Sequence, residues 1–294
     1  MSGSLRNTQL FGVFSPKEDD KFLKKRFESG QAMIGNWKKA FRPSLRGFDI
    51  ALLRHSHYER IQEQAKNNND LAFIIAMYGE SAPPIVENLK YSKSQLRQDL
   101  FVLTHLNFKK SGYFVEFGAT NGIDLSNTHL LETRFDWKGI LAEPAKCWHP
   151  DLVRNRKASI IDTRCVWKKS GATLRFSEVG YAELSTISEF NSSDSHNRRD
   201  RLEYDVQTVS LIDLLDEHKA PPVIDFISID TEGSEFEILN GFDFARYLFR
   251  VITCEHNHTA NREKIRSLLT KNGYVQRFEE LSQFDDWYVL PGID

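Results

Sequence analysis

From Ser94 onward, short apolar runs alternate with helical segments, and this alternation narrows the available folds more than any other feature of the chain. The expected strands are Tyr113–Phe117, Gly139–Ala142, Ala158–Asp162, Val223–Ile229 and Arg250–Cys254. Strands separated by helices predict an α/β fold with a mostly parallel, doubly wound sheet covered on both faces. A helix over Arg262–Asn272 and two last strands, Tyr274–Phe278 and Trp287–Leu290, predict an antiparallel final hairpin closing the sheet edge. Between Thr163 and Val209 the pattern is less regular, with short strand-like pieces. The polar run Asn191–Arg201 reads as a mobile loop able to cover a substrate.

Before this region the spacing is helical, with segments expected at Lys17–Glu28, Ile50–Ala65 and Asn69–Met77. Turns are expected at Arg42-Pro43-Ser44 and Ala82-Pro83-Pro84, where proline removes a backbone donor. The expected division is a helical appendage over residues 1–92, serving acceptor recognition or homo-oligomerisation, and a catalytic domain over residues 93–294. A net charge of −2 creates no field that would gather nucleic acid. The basic cluster Lys21, Lys24, Lys25, Arg26, Lys38 and Lys39 reads as a solvated helix face. The three cysteines, Cys147, Cys165 and Cys254, form no close pair, which argues against a disulfide scaffold or zinc knuckle and for a reducing cytoplasm. The most apolar runs, such as Leu71–Tyr78, are too short for a transmembrane segment, so a soluble protein is expected.

Two constellations carry chemistry. In the first, the strand Tyr-Phe-Val-Glu-Phe runs into Gly118-Ala-Thr-Asn-Gly122 and then a helix opening near Ser126 and Asn127. Glycine permits turns and close approach, and Ser126 or Asn127 is placed to cap the helix. The next strand ends in Glu143-Pro144, about 20 residues on, where open α/β sheets place a carboxylate for ribose hydroxyls. Thr120 stands where a second glycine would bring backbone against a pyrophosphate, which argues against a dinucleotide. Glu116 beside the turn would repel a pyrophosphate but pair with an ammonium group. These residues favour an adenosyl ligand without phosphates.

In the second, Phe226-Ile-Ser-Ile-Asp230 ends a buried strand and is followed by Glu232, Glu235 and Glu237 at a helix start. The helix dipole accounts for Glu235 and Glu237 but less well for Asp230. The following strand ends in Cys254-Glu255-His256-Asn257-His258, groups that take protons or bind a divalent ion. Asp230, Glu255, His256 and His258 are therefore candidate bases. Asp285 and Asp286 could join Asp230 or Glu255 on a metal, but paired acids in a hairpin are usually turn residues, and the metal question stays open.

The strings FVEFGATNGIDLSNTHLLE, GILAEP and FISIDTEGSEFEIL, in this order, resemble the FkbM family of methyltransferases over roughly Ser94 to Leu290. The most specific of them is Asp230-Thr-Glu232-Gly-Ser-Glu235. The resemblance implies a Rossmann-like class I methyltransferase fold, S-adenosylmethionine as methyl donor, and a hydroxyl on a sugar, polyketide or other metabolite as acceptor. By matching position it implies that Glu116, Gly118, Ala119, Asn121, Gly122, Ser126, Asn127 and Glu143 line the cofactor site. Pro144 and Asp162, at the following strand ends, are counted with them. Asp230, Glu232 and Glu235 match the acidic motif. The expectation is O-methylation of a saccharide or glycosylated metabolite, such as a surface polysaccharide sugar, in the cytoplasm. An NAD-dependent sugar-modifying oxidoreductase and a non-catalytic scaffold that keeps the fold are the competing readings.

Overall fold

The computed structural model describes residues 55–77, 82–194 and 196–293. The expected helix Lys17–Glu28, the basic cluster around it and the turn at Pro43 lie outside these residues. The chain divides into units of residues 1–63 and 64–294, and the sheets, the helices from Ala82 onward and the site belong to the second.

The central strands are β1 (Tyr113–Phe117), β2 (Lys138–Ala142), β3 (Ile160–Asp162), β8 (Val223–Ile229), β9 (Leu248–Glu255), β10 (Val275–Arg277) and β11 (Asp285–Val289). Their order is β10-β11-β9-β8-β1-β2-β3. All pairings from β3 to β9 are parallel, while β11 runs antiparallel to both β9 and β10. The expected final hairpin is present, but its second strand sits inside the sheet and β10 forms the edge. Burial explains the placement. Every residue of β11 is buried and needs neighbours on both sides, whereas β10 is mostly exposed.

Helix α1 (His55–Ala76) crosses from the first unit into the second; α2 (Ala82–Leu89), α3 (Gln98–His105), α4 (His129–Phe135), α5 (His149–Asn155), α6 (Leu211–Glu217), α7 (Glu235–Asn240) and α8 (Asn261–Lys271) surround the sheet, with a short α9 at Glu279–Ser282. Strand residues alternate between its faces. Val115, Ile140, Ile227, Ile252 and Tyr288 pack with Leu214, Leu239 and Ile265 on one side. Phe114, Leu141, Phe226, Val251 and Trp287 pack with Phe101, Leu130 and Leu152 on the other. Each such side chain, fully buried, contributes about 1.5–3 kcal/mol.

Phe73, Met77 and Ile85 join this second cluster, and Phe73 meets the Trp287 ring edge-on at 6.4 Å. A partly buried ion pair, Arg97 to Asp70 at 2.7 Å, ties α1 to the segment before α3. The turn expected at Ala82-Pro83-Pro84 is instead the first turn of α2. Proline is tolerated there because the amide it lacks would have no helical partner.

The region that reads as irregular in sequence is a second sheet. Its strands are β4 (Cys165–Trp167), β5 (Thr173–Val179), β6 (Thr186–Ile187) and β7 (Arg201–Ser210), in the order β4-β7-β5-β6. A satellite core of Ala145, Cys165, Trp167, Phe176, Ile187 and Val206 holds it together. This sheet provides part of the wall over the carboxyl ends of the central strands.

Candidate active site

The carboxyl ends of β1, β2, β8 and β9 meet where the strand order reverses, the place at which open α/β sheets form a crevice. A cavity of about 270 Å³ opens there. Glu116, Gly118, Thr120, Asn127, Glu143, Pro144, Asp230, Thr231, Glu232, Ser234, Glu255 and Asn257 line it from the central sheet. Phe176, Ile187 and His196 close it from the second sheet and the segment between β6 and β7, and Gln95, Gln98 and Phe284 close a further side.

The glycine turn is built for contact with the protein itself. Gly118 has φ +73°, and a Cβ there would lie 2.2 Å from the Asp230 carbonyl oxygen. Close packing of this turn on the end of β8 therefore requires glycine. Gly122, at φ +80°, makes room for the Arg156 and Leu152 side chains. Arg156 is fully buried; it donates to the Gly122 carbonyl, Ser126 Oγ and Thr128 Oγ1, and pairs with Glu132 at 3.0 Å and Glu116 at 3.7 Å.

Glu116 is held inside this network. One oxygen accepts from the Asn127 amide at 2.6 Å, the other from Ser126 Oγ at 3.0 Å and Thr128 Oγ1 at 2.5 Å. Burial pushes its pKa up, and Arg156 opposes the shift. The N-cap of α4 is Thr128 rather than Ser126 or Asn127, and its side chain makes no cap bond; Ser126, outside the cavity lining, accepts at Oγ from the Thr128 and His129 amides. Asn127 donates to Ser228 Oγ at 2.9 Å, and its Oδ1 is buried without a partner.

Glu143 ends β2 at 4% exposure, with Oε2 accepting from the Thr120 amide and Oε1 from the Ala145 amide, both at 2.8 Å. Burial raises its pKa to about 7 against those two donors. Ala119, Asn121 and Gly122 do not line the cavity; Asn121 instead caps the turn through Asp124 and the Ile123 amide. Asp162 is also outside it, engaged by Arg164 at 2.6 Å and His218 at 3.0 Å.

The acidic motif divides by direction. Asp230 and Glu255 both line the cavity; burial raises the pKa of each, further reinforced by neighbouring carboxylates. Glu232, at φ +58°, also lines the cavity, and Arg198 reaches its carboxylate at 2.7 Å. Glu235 is turned inward. Its Oε1 accepts from the Thr231 amide and hydroxyl and from the Gly233 amide, so it shapes the loop rather than facing a ligand.

The two histidines do not line the cavity. The chain leaves the extended conformation after Glu255, so the expected alternation of a strand does not apply to them. His256 is buried, with Nδ1 accepting the His258 amide at 2.9 Å and Nε2 directed at the Asp285 carbonyl at 3.1 Å. His258 is exposed in the turn at φ +54°. Asp285 and Asp286 lie in β11 rather than in a turn. Gln98 donates to Asp285 at 2.8 Å, and Asp286 is tied to Arg262 at 2.8 Å.

Sequence reading missed Gln98 and the roof residues Phe176, Ile187, Asp194 and Arg198. Their signal was weak: Arg198 lies in a polar run, yet it is 3% exposed and paired with Asp194 and Glu232. The segment read as a mobile loop is thus pinned at this point by buried charge.

Residues 116–276, more than half of the chain, match the family described as the methyltransferase FkbM domain. No curated protein matches the sequence. Among solved structures, a precorrin-6y C5,15-methyltransferase from Geobacter metallireducens is 13% identical, with 61% of this chain and 71% of that chain covered and a TM-score of 0.36. Aeropyrum pernix fibrillarin, solved with bound S-adenosyl-L-methionine, is 9% identical over 61% of this chain and 66% of that chain, with a TM-score of 0.33. The plantazolicin methyltransferase BpumL, in complex with SAH, is 14% identical over 76% and 70%, with a TM-score of 0.29. With the family match added to the strand order, the chain belongs to the FkbM methyltransferase family and is an S-adenosylmethionine-dependent methyltransferase of the Rossmann-like class.

Proposed function

We propose that this enzyme is an O-methyltransferase that acts on a hydroxyl of a saccharide or glycosylated metabolite, such as a surface polysaccharide sugar. The observation carrying the reading is the pair of facing carboxyl groups, Asp230 and Glu255, at the cavity floor beside the glycine turn. S-adenosylmethionine supplies an activated methyl group, so the chain's own task is to align the acceptor oxygen and take its proton. Asp230 is the proposed proton acceptor, with a carboxylate oxygen of Glu255 within 4.8 Å of one of its own. Glu143 has acceptor capacity beyond its two backbone donors, which suits ribose hydroxyls. Glu116 is occupied by protein donors, and its proposed part is to fix the loop that carries Asn127.

Residues 1–92 are proposed to serve acceptor choice or self-association, and the location is proposed to be cytoplasmic. Among the described residues no helix is long and apolar enough to cross a membrane.

The test is methyl transfer from labelled S-adenosylmethionine to a panel of mono- and oligosaccharides, with Asp230→Ala beside the wild type. Turnover on a sugar hydroxyl is expected, abolished in the variant while donor binding measured by calorimetry persists. Full activity in D230A would refute the assigned base, and transfer to carbon or nitrogen acceptors alone would refute O-methylation. A thermal shift with S-adenosylmethionine, and none with NAD, is expected and separates this reading from an oxidoreductase; at a ligand concentration 100 times Kd the stabilisation is about 2.7 kcal/mol.

A further inference from the structure

Asp230, Glu232 and Glu255 each present a carboxylate oxygen, and these oxygens lie within 4.8 Å of one another. All three residues line the cavity. Two further atoms in the same cavity point to a ligand. Glu255 is 6% exposed, and its Oε2 is buried without a hydrogen-bond partner. Asn127 is 8% exposed; its Nδ2 is committed to Ser228 Oγ, leaving Oδ1 unpartnered.

Charge points the same way. Arg198 faces the cluster from the roof, but both of its terminal amines donate to Asp194, at 2.7 and 2.8 Å, and one of the two is shared with Glu232. One guanidinium is thus divided between Asp194 and Glu232, and among the described residues no ion pair engages Asp230 or Glu255. A second cluster, Asp194, His196 and Glu232, is less suited to an ion because Arg198 already occupies both of its carboxylates.

We propose that Asp230, Glu232 and Glu255 form a binding site for one hard divalent cation of the Mg²⁺ or Mn²⁺ type. An all-oxygen donor set selects such ions over softer ones. The waters that a small hydrated cation retains supply a donor for Asn127 Oδ1. An acceptor hydroxyl entering the ion's shell would be acidified; that consequence rests on the O-methylation reading, whereas the site itself does not.

The experiment is titration of chelator-treated full-length protein with MnCl₂, free Mn²⁺ being followed by electron paramagnetic resonance, with no methyl donor or acceptor present. One Mn²⁺ per chain is expected, displaced by Mg²⁺, with affinity weakened at least tenfold in both Glu232→Gln and Glu255→Gln. Glu237→Gln, on the exposed side of α7, is expected to bind as the wild type does. Should either variant fail to fold, Asn127→Asp, which adds a charge beside the site, is expected to tighten binding. Wild-type protein that holds no Mn²⁺ at millimolar concentration, or variants that all bind as the wild type does, would overturn the site. Because neither substrate is present, its failure leaves the methyl-transfer reading untouched, and the reverse holds equally.

Discussion

At the scale of single residues, the site depends on acids whose oxygens are already partly engaged by the backbone. Glu143 accepts from the Thr120 and Ala145 amides, so Glu143→Gln replaces one acceptor with a donor facing an N–H. A loss of about 1–3 kcal/mol is expected, which calorimetry would read as roughly tenfold to hundredfold weaker S-adenosylmethionine binding. Since burial raises the Glu143 pKa to about 7, donor affinity should increase as pH rises through 7 and the carboxylate forms, and E143Q should lose that dependence. Gly118→Ala meets the Asp230 carbonyl and a left-handed φ together. The backbone term alone is about 1–2 kcal/mol, and the clash displaces the residue proposed as base. Turnover should therefore fall more than urea-unfolding stability accounts for.

At the scale of elements, the second sheet and the segment after β6 form a roof locked by Arg198. Its side chain is 1% exposed, between Asp194 at 2% and Glu232 at 7%. Arg198→Gln strands two buried carboxylates, a change of the kind that costs about 3–5 kcal/mol when one partner of a buried pair is removed. The loss should appear locally, since the satellite core of Phe176, Ile187 and Val206 is separate from the cores of the central sheet. Trypsin cleavage at Arg199 and Arg201 is expected to accelerate well before the central sheet unfolds, as limited proteolysis followed by mass spectrometry would show. Equal cleavage rates in wild type and variant would mean that the ion pair does not hold the roof.

For the whole molecule, the titration of buried acids sets the pH response. Asp99 is raised to about 6 and Glu143 to about 7, in both cases chiefly by burial. The folded chain thus holds protons that the unfolded chain releases near pH 4. This contribution is complete below the unfolded values and is lost as pH rises from about 4 to about 7. Asp162, Asp194 and Asp286 are lowered by their Arg and His partners against the opposing effect of burial, so they contribute stability above about pH 4 that is lost on acidification. Urea unfolding of the ligand-free protein should accordingly give maximal stability on the acid side of neutrality. A maximum above pH 8 would contradict this balance.

The sequence by itself determined the layered α/β architecture, because strand-length apolar runs separated by helices have few other ways to bury themselves. It also determined the acids at the ends of β1, β2, β8 and β9, since a polar residue closing a buried strand must emerge at the sheet edge. What only the tertiary structure decided was which way those acids face. Glu235 and Asp230 are five positions apart, yet one braces its own loop and the other lines the cavity, a difference set by the reversal of the backbone at Glu232 and Gly233. His256 is likewise withdrawn by the turn after β9 and its bonds to the His258 amide and Asp285 carbonyl. Nor did local pattern reveal the roof: strand β7 carries charged residues through much of its length, and its pairing with β5 and the Arg198 lock exist only once distant residues meet. Periodicity records which residues are buried, whereas partners and directions follow from contacts between segments far apart in the chain.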